Sequence, residues 1–257
     1  MLNFGLCELR LVQPACDPLS ETAMSRACGA TPVLQSATIF SSVREAVEDC
    51  GLVLATTART REMALPVLSA RDAAERAASS CSLGSRAALL FGCEKNGLSK
   101  EELRSANAIV TIPTDPIFSS LNLAQAVLLL AYECQLSREA IGQGVAGEDA
   151  PVDEADSGYA PAGQATSGQL ASFFDFWEEA LWTSSFFGGG TNDVQERLRA
   201  GATMDKLRVL ILRSTPTAAE ARLLRGALQS LVQPKTPKSS NPSQTLGKSQ
   251  RVSREEF

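Results

Sequence analysis

Three short segments of this 257-residue chain gather the residue types that chemistry needs. Residues 90–98, Leu90-Phe-Gly-Cys-Glu-Lys-Asn-Gly-Leu98, read as a strand that ends near Gly92 and enters a loop. A glycine there lets a ligand come close to the backbone, because no Cβ stands in the way. Glu94 then falls at the carboxyl edge of the sheet, where open α/β sheets bind ligands. Residues 112–127 run Ile112-Pro-Thr-Asp-Pro-Ile-Phe-Ser-Ser-Leu-Asn-Leu-Ala-Gln-Ala-Val127. Two prolines tighten a loop, and Ser119, Ser120 and Asn122 crowd the start of an apolar helix. Such side chains cap helices routinely, but three in four positions exceed what one cap requires. Residues 54–59, Leu54-Ala-Thr-Thr-Ala-Arg59, form a strand running into small polar side chains. Each segment also has a plain structural reading, as a strand–turn–helix junction, a helix cap and a strand end.

Composition narrows the chemistry. The chain has no histidine, which removes Ser-His-Asp and Cys-His nucleophiles, histidine-ligated zinc and histidine as general base. Seven cysteines stand at positions 7, 16, 28, 50, 81, 93 and 134, an odd number without a C-x-x-C pair. That pattern argues against a disulfide framework or zinc ribbon and for a reducing compartment, so a cytoplasmic protein is expected, with no metal. The longest apolar stretch, Ala126 to Tyr132, is far short of the roughly 20 residues that span a bilayer, so no membrane partner is expected. Charge is uneven: residues 1–139 sum to −3, residues 140–190 to −8 and residues 191–257 to +6. A basic end on an acidic chain points to nucleic acid, since phosphate contacts supply most non-specific affinity.

The elements that must position these residues alternate over 1–139. Strands are expected at Glu8–Gln13, Leu52–Thr56, Ala87–Gly92 and Ala108–Pro113. Helices are expected from Ser20 to Cys28, from the capping box Ser42-Val-Arg-Glu45 to Gly51, after the capping box Ser99-Lys-Glu-Glu102, and from Leu121 to Gln135. Buried, non-alternating strands separated by helices define an α/β class, a parallel sheet with helices on both faces. Residues 140–168 read as an acidic flexible linker, 169–232 as a helical extension, and 233–257 as a disordered tail. Seven of the 14 aromatic residues fall between Phe173 and Phe187, which serves a small helical core or dimer contact better than a base-stacking surface. No G-x-G-x-x-G follows the first strand, which sets aside a nicotinamide-dependent Rossmann enzyme.

Taken together, Leu-Phe-Gly-x-Glu-x-x-Gly-Leu, Ile112-Pro113 and Ser120-Leu-Asn-Leu-Ala-x-Ala-Val127 resemble motifs two and three of the SpoU/TrmH class of SPOUT RNA methyltransferases. Upstream, Phe4-Gly-Leu-x-Glu-Leu-Arg-Leu-Val12, Ala27-Cys-Gly-Ala30, Glu45-Ala46, Asp49-Cys50 and Thr56-Thr-Ala-Arg59 extend the match. The pattern is most similar to the TrmJ-like branch, which methylates a ribose 2′-hydroxyl in the tRNA anticodon loop. Ile211-Leu-Arg213 and Leu224-Arg-Gly-Ala-Leu228 resemble that branch's helical extension more weakly. The resemblance implies a carboxyl-terminal trefoil knot, a homodimer with the active site at the subunit interface, and S-adenosylmethionine as cofactor. It places cofactor contacts on Thr56, Thr57, Ala58, Gly92, Ile112, Ser119, Ser120 and Leu121. Ser120 and Asn122 would orient the hydroxyl, and Glu94 would hold a side chain of motif one. Arg59, Arg208, Arg213, Arg222 and Arg225 are the candidate RNA contacts, although scattered helix arginines are also what a solvated face looks like.

The family's Asn-x-Gly turn and the arginine that follows it align before Met1, and Cys93 stands where this branch often has arginine. Arg10 lies on the following strand and does not match the missing arginine. Weak or absent methyl transfer and a destabilised sheet edge are therefore expected of the chain as it stands. Two alternatives accompany the tRNA reading: an rRNA 2′-O-methyltransferase of the same family, and a non-catalytic RNA-binding or dimerisation protein.

Overall fold

A computed structural model describes residues 1–58, 65–144, 163–188 and 194–233. Arg59, most of the segment expected to be a linker, and the tail beyond residue 233 lie outside the described residues. In chain order the elements are a 3₁₀ turn at Leu2–Phe4, β1 Arg10–Val12, α1 Glu21–Arg26, α2 Thr31–Gln35, β2 Thr38–Phe40, α3 Val43–Ala46, β3 Leu52–Thr56, β4 Val67–Ser69 and α4 Ala70–Ser82. These are followed by β5 Ala87–Leu90, α5 Lys100–Leu103, β6 Ala108–Thr111, α6 Leu123–Gly144, α7 Ser167–Thr183, α8 Val194–Arg213 and α9 Ala218–Val232.

Four strands form a parallel sheet in the order β4-β6-β3-β5, and β1 and β2 form a separate parallel pair. In β3 every residue from Leu52 to Ala55 is buried, because successive side chains point to opposite faces and both faces are covered. Leu52 and Leu54 pack with Ala73 and Ala77 of α4, Leu130 of α6, and Ala108 and Val110 of β6. Val53, Ala55 and Ile109 face the other way, into a cluster with Leu170, Phe173 and Phe174 of α7, Val209 and Leu212 of α8, and Ala221 of α9. The carboxyl-terminal helices thus form the second wall of the sheet's core. Phe173, Phe174 and Trp177 belong to that wall, which accounts for part of the aromatic concentration seen in the sequence.

Several boundaries differ from the sequence pattern, each for a local reason. The helix expected to reach Gly51 stops at Ala46, whose carbonyl accepts from the Arg10 guanidinium, while Cys50 N–H turns back to Val47 O. At its start Ser42 accepts from Glu45 N–H, but the Glu45 carboxylate bonds Ser41 in place of closing a capping box. Helix α6 begins at Leu123, because Asn122 Oδ1 accepts from Ala124 N–H, and it continues to Gly144, into the segment expected to be a linker. Helix α7 starts at Ser167 behind a capping box of Thr166 and Gln169. The box expected at Ser99–Glu102 closes, and a further box of Thr217 and Glu220 starts α9.

The β1–β2 pair shares no ladder with the larger sheet among the described residues. An ion cluster holds it there instead. Arg10 of β1 pairs with Glu8 and Asp49, and Arg86, at the foot of β5, donates to Asp49 Oδ2 at 2.6 Å and also pairs with Glu8. The Arg10 hydrogen bond holds the Asp49 carboxyl well below the usual carboxylate range. Cys50, beside it, is pushed up to about 11 by burial and stays a thiol at neutral pH. Among the described residues no helix is long and apolar enough to cross a membrane.

Because Asp49 is depressed when folded, its contribution is complete above the unfolded carboxylate's value of roughly 4 and is lost as pH falls below it. With Asp49 43% exposed, solvent screening limits the cluster to about 1 kcal/mol. Urea unfolding of Asp49→Asn should show that deficit at pH 7, shrinking between pH 4 and pH 2. A deficit independent of pH would reject the ion cluster as its source.

Candidate active site

The three chemically suggestive segments converge on one cavity at the carboxyl ends of β3, β5 and β6. Its walls include Thr56, Thr57 and Ala58 after β3, Gly92 to Leu98 after β5, and Ile112 with Ser119, Ser120 and Leu121 after β6. All eight residues proposed for the cofactor therefore line a single space. Parallel strands make this convergence automatic, since every loop that leaves the carboxyl edge opens on the same side.

Each loop is shaped by its own residues. Cys93 and Gly97 bridge in antiparallel fashion, with Gly97 N–H donating to Cys93 O at 2.8 Å, and Gly97 takes φ 66° to close the turn. Gly92 lies directly under this turn: a Cβ there would stand 2.3 Å from Gly97 C and from Leu98 N. The glycine is thus required by the loop folding back on itself, a stronger reason than the ligand approach read from sequence. The next loop is built on Asp115, whose Oδ1 accepts from Ile117 N–H at 2.8 Å and whose carbonyl accepts from Phe118 N–H at 3.0 Å. That turn carries Ser119 and Ser120 to the cavity and leaves Ile117 and Phe118 94% and 82% exposed. Thr56 Oγ1 donates to Leu90 O at 3.0 Å and ties the first loop to the second.

Asn122 is held at both ends of its amide. Oδ1 caps α6, and Nδ2 donates to Glu94 Oε1 at 3.2 Å. One Nδ2 hydrogen remains for a further acceptor. Two residues that sequence reasoning treated separately are thus a bonded pair from different loops. Lys95, between Glu94 and Asn96, is the cation among the described residues of the cavity wall. Its lone charge in a short loop gave no signal in the sequence. Arg10 is committed to the ion cluster and lies on none of these walls.

The remaining candidates among the described residues lie on α8 and α9. Arg208 lies over the Phe174 ring at 4.9 Å, and burial lowers its pKa. Arg222 Nε donates to Ala218 O, and Arg225 donates to Ser172 Oγ while covering the Phe176 ring. Arg213 occupies the last turn of α8.

A parallel α/β sheet with a cavity of this make-up at its carboxyl edge is the architecture of a class of RNA-modifying methyltransferases, and comparison with known proteins identifies the family. The chain belongs to the SpoU rRNA Methylase family, which matches residues 1–132. It is 34% identical over 249 residues to the tRNA (cytidine/uridine-2'-O-)-methyltransferase TrmJ of Yersinia pestis (strain Pestoides F), covering 97% of this chain and 90% of the relative. The TrmJ of Pectobacterium atrosepticum is 35% identical over 234 residues, covering 90% and 88%. Among solved structures, TrmJ from Z. mobilis ZM4 superposes with a TM-score of 0.70 at 34% identity, covering 90% of this chain and 89% of that one.

The wall suits S-adenosylmethionine in kind: small and apolar side chains for an adenine, backbone edges and hydroxyls for its polar atoms. At about 150 Å³ the cavity is smaller than the roughly 300–1,000 Å³ of small-ligand sites. Gly92→Ala should drive the 93–97 turn out of place at a cost of about 1–3 kcal/mol and weaken S-adenosylmethionine binding at least tenfold, read by calorimetry. An affinity equal to that of the wild type would show that the turn does not shape the site.

Proposed function

We propose that the protein transfers a methyl group from S-adenosylmethionine to a ribose 2′-hydroxyl of tRNA. The observation that carries this reading is the convergence of the three segments on one cavity, with Asn122 fixed between a helix end and Glu94. The cofactor supplies an electrophilic methyl on a sulfonium, so the residues of this chain have only to bind, orient and help a proton leave. Thr56, Thr57, Ala58, Gly92, Ile112, Ser119, Ser120 and Leu121 hold it, in a chain crossing that takes the form of a trefoil knot. The free Nδ2 hydrogen of Asn122 and the Ser120 hydroxyl orient the ribose oxygen, and Glu94 keeps the Asn122 amide from rotating. RNA phosphates meet Arg59, Arg208, Arg213, Arg222 and Arg225, and the seven unpaired cysteines suit a reducing cytoplasm.

The tRNA reading is preferred to rRNA because the TrmJ relatives align through the carboxyl-terminal helices as well as the sheet. A binding-only role is favoured by one observation, that no arginine lines the described part of the cavity wall. Incubation with methyl-labelled S-adenosylmethionine and either total tRNA or rRNA separates the three. Label is expected in tRNA at alkali-resistant linkages, and Asn122→Ala should lower kcat/KM by about 100-fold. Cofactor binding without transfer to either RNA would establish the binding-only role.

The protein acts as a homodimer through α6. Leu128, Leu129, Tyr132 and Leu136 form an exposed apolar stripe on the helix whose first turn reaches the cavity through Leu123 and Ala126. A stripe of that length at i, i+4 spacing belongs against another helix, and a second copy presents the same one. Tyr132→Glu should sediment as a folded monomer where the wild type sediments as a dimer. A wild-type monomer at micromolar concentration would remove the dimer from the reading.

A further inference from the structure

A second and larger cavity, about 440 Å³, lies at the opposite end of the sheet. Gly51 and Asn107, at the feet of β3 and β6, form its floor, and α7 and α8 close it from above through Phe174 and Arg208. Strand β3 separates the two cavities by about 17 Å at roughly 3.3 Å per residue, so one small ligand cannot occupy both.

Two side-chain donors on the wall of this cleft, on Arg208 and Asn107, are left for a ligand among the described residues. Arg208 stacks on Phe174, and among the described residues its guanidinium makes no hydrogen bond or ion pair. The two other arginines on the wall are committed, Arg44 to Asp175 and Arg104 to Asp205 at 2.8 Å. Asn107 is only 6% exposed; its Oδ1 accepts from Val53 N–H at 2.7 Å, while its Nδ2 has no partner among the described residues. A guanidinium fork matches phosphate oxygens. Gln13 at the rim holds φ 46°, a left-handed conformation costly outside glycine. The volume exceeds what a lone phosphate fills, and the Arg208–Phe174 stack offers a plane on which a base can lie.

We propose that this cleft binds a nucleotide unit, its phosphate on Arg208 and Asn107 and its base against the Arg208 plane. The inference deepens the RNA reading by adding a contact remote from the methyl-transfer cavity. The same chemistry would take a free mononucleotide. Acidic groups set the limit on affinity. Glu102 is spent on Ser99 N–H, Asp175 and Asp205 on the paired arginines, and Glu178 lies within reach of the Arg208 charge. Among the described residues Glu101 lines the cleft as an exposed carboxylate with no bond to neutralise it, so it opposes a phosphate.

The test titrates the full chain, without S-adenosylmethionine, with AMP by calorimetry and with a fluorescein-labelled single-stranded RNA octamer by anisotropy. Arg208→Gln should weaken binding at least tenfold, and Glu101→Gln should tighten it severalfold, with folding checked by circular dichroism. Weakening confined to the octamer assigns the nucleotide to RNA, and weakening confined to AMP assigns it to a free nucleotide. No binding of either probe at millimolar concentration overturns the proposal, as does a folded Arg208→Gln protein that binds like the wild type. If Arg208→Gln fails to fold, an unchanged affinity in Glu101→Gln overturns it. Methyl transfer is not read in this assay, so failure of the methyltransferase reading in its own assay would leave the cleft standing.

Discussion

Strands β3 and β6 are buried on both faces, and that constraint governs the rest of the molecule. A parallel ladder leaves no solvent-facing side, so each face must be covered by helices that the chain itself supplies. One cover, α4 and α6, follows directly from the βα alternation. The other comes from α7, α8 and α9, which the chain reaches only after residue 163. The carboxyl-terminal helices are in this sense structural partners of Val53, Ala55 and Ile109. Gly168 sits so close to Glu48 that a Cβ would stand 2.4 Å from its side chain, which marks how tightly α7 lies on the turn before β3.

The same geometry separates two kinds of surface. Loops at the carboxyl edge are free of ladder bonds and carry the polar residues of the candidate active site. At the amino edge the packing of α7 and α8 leaves a cleft because their long side chains, Arg208 and Phe174, stand between backbone layers. Ion pairs pin both sides of that cleft: Arg44 to Asp175 on one, Arg104 and Lys100 to Asp205 on the other. Such pairs are worth little individually, but they fix the relative position of elements far apart in the chain.

Much of this was legible in the residues. Leu52–Thr56 reads as a buried strand because five consecutive residues suit burial, and it occupies that span in the structure. The site motifs were legible because three segments, each with a plain structural reading alone, together resemble one family's pattern of glycine, proline, serine and asparagine at fixed offsets. What was missed had weaker physical signatures. Helix α4 buries Ala73, Ala74, Ala77 and Ala78, and alanine gives a helix stripe little hydrophobic contrast. Strands β2 and β4 have three residues each, too few to show a period. The ion cluster of Glu8, Arg10, Asp49 and Arg86 was invisible because its members are distant in sequence and charged residues are normally solvated. The Asn122–Glu94 bond likewise joins residues 28 positions apart.

That bond has a consequence in the language of linkage. Asn122 spends one side of its amide starting α6 and the other on the wall of the cavity, so the first turn of the helix and the walls of the site form in one event. The outer stripe of the same helix is the surface on which a second copy would rest. A ligand in the cavity and a partner on the stripe, as proposed, would therefore draw on the same folded turn, and each would lower the free energy of the form the other needs. On the proposed function, occupancy and assembly would be coupled through a single asparagine.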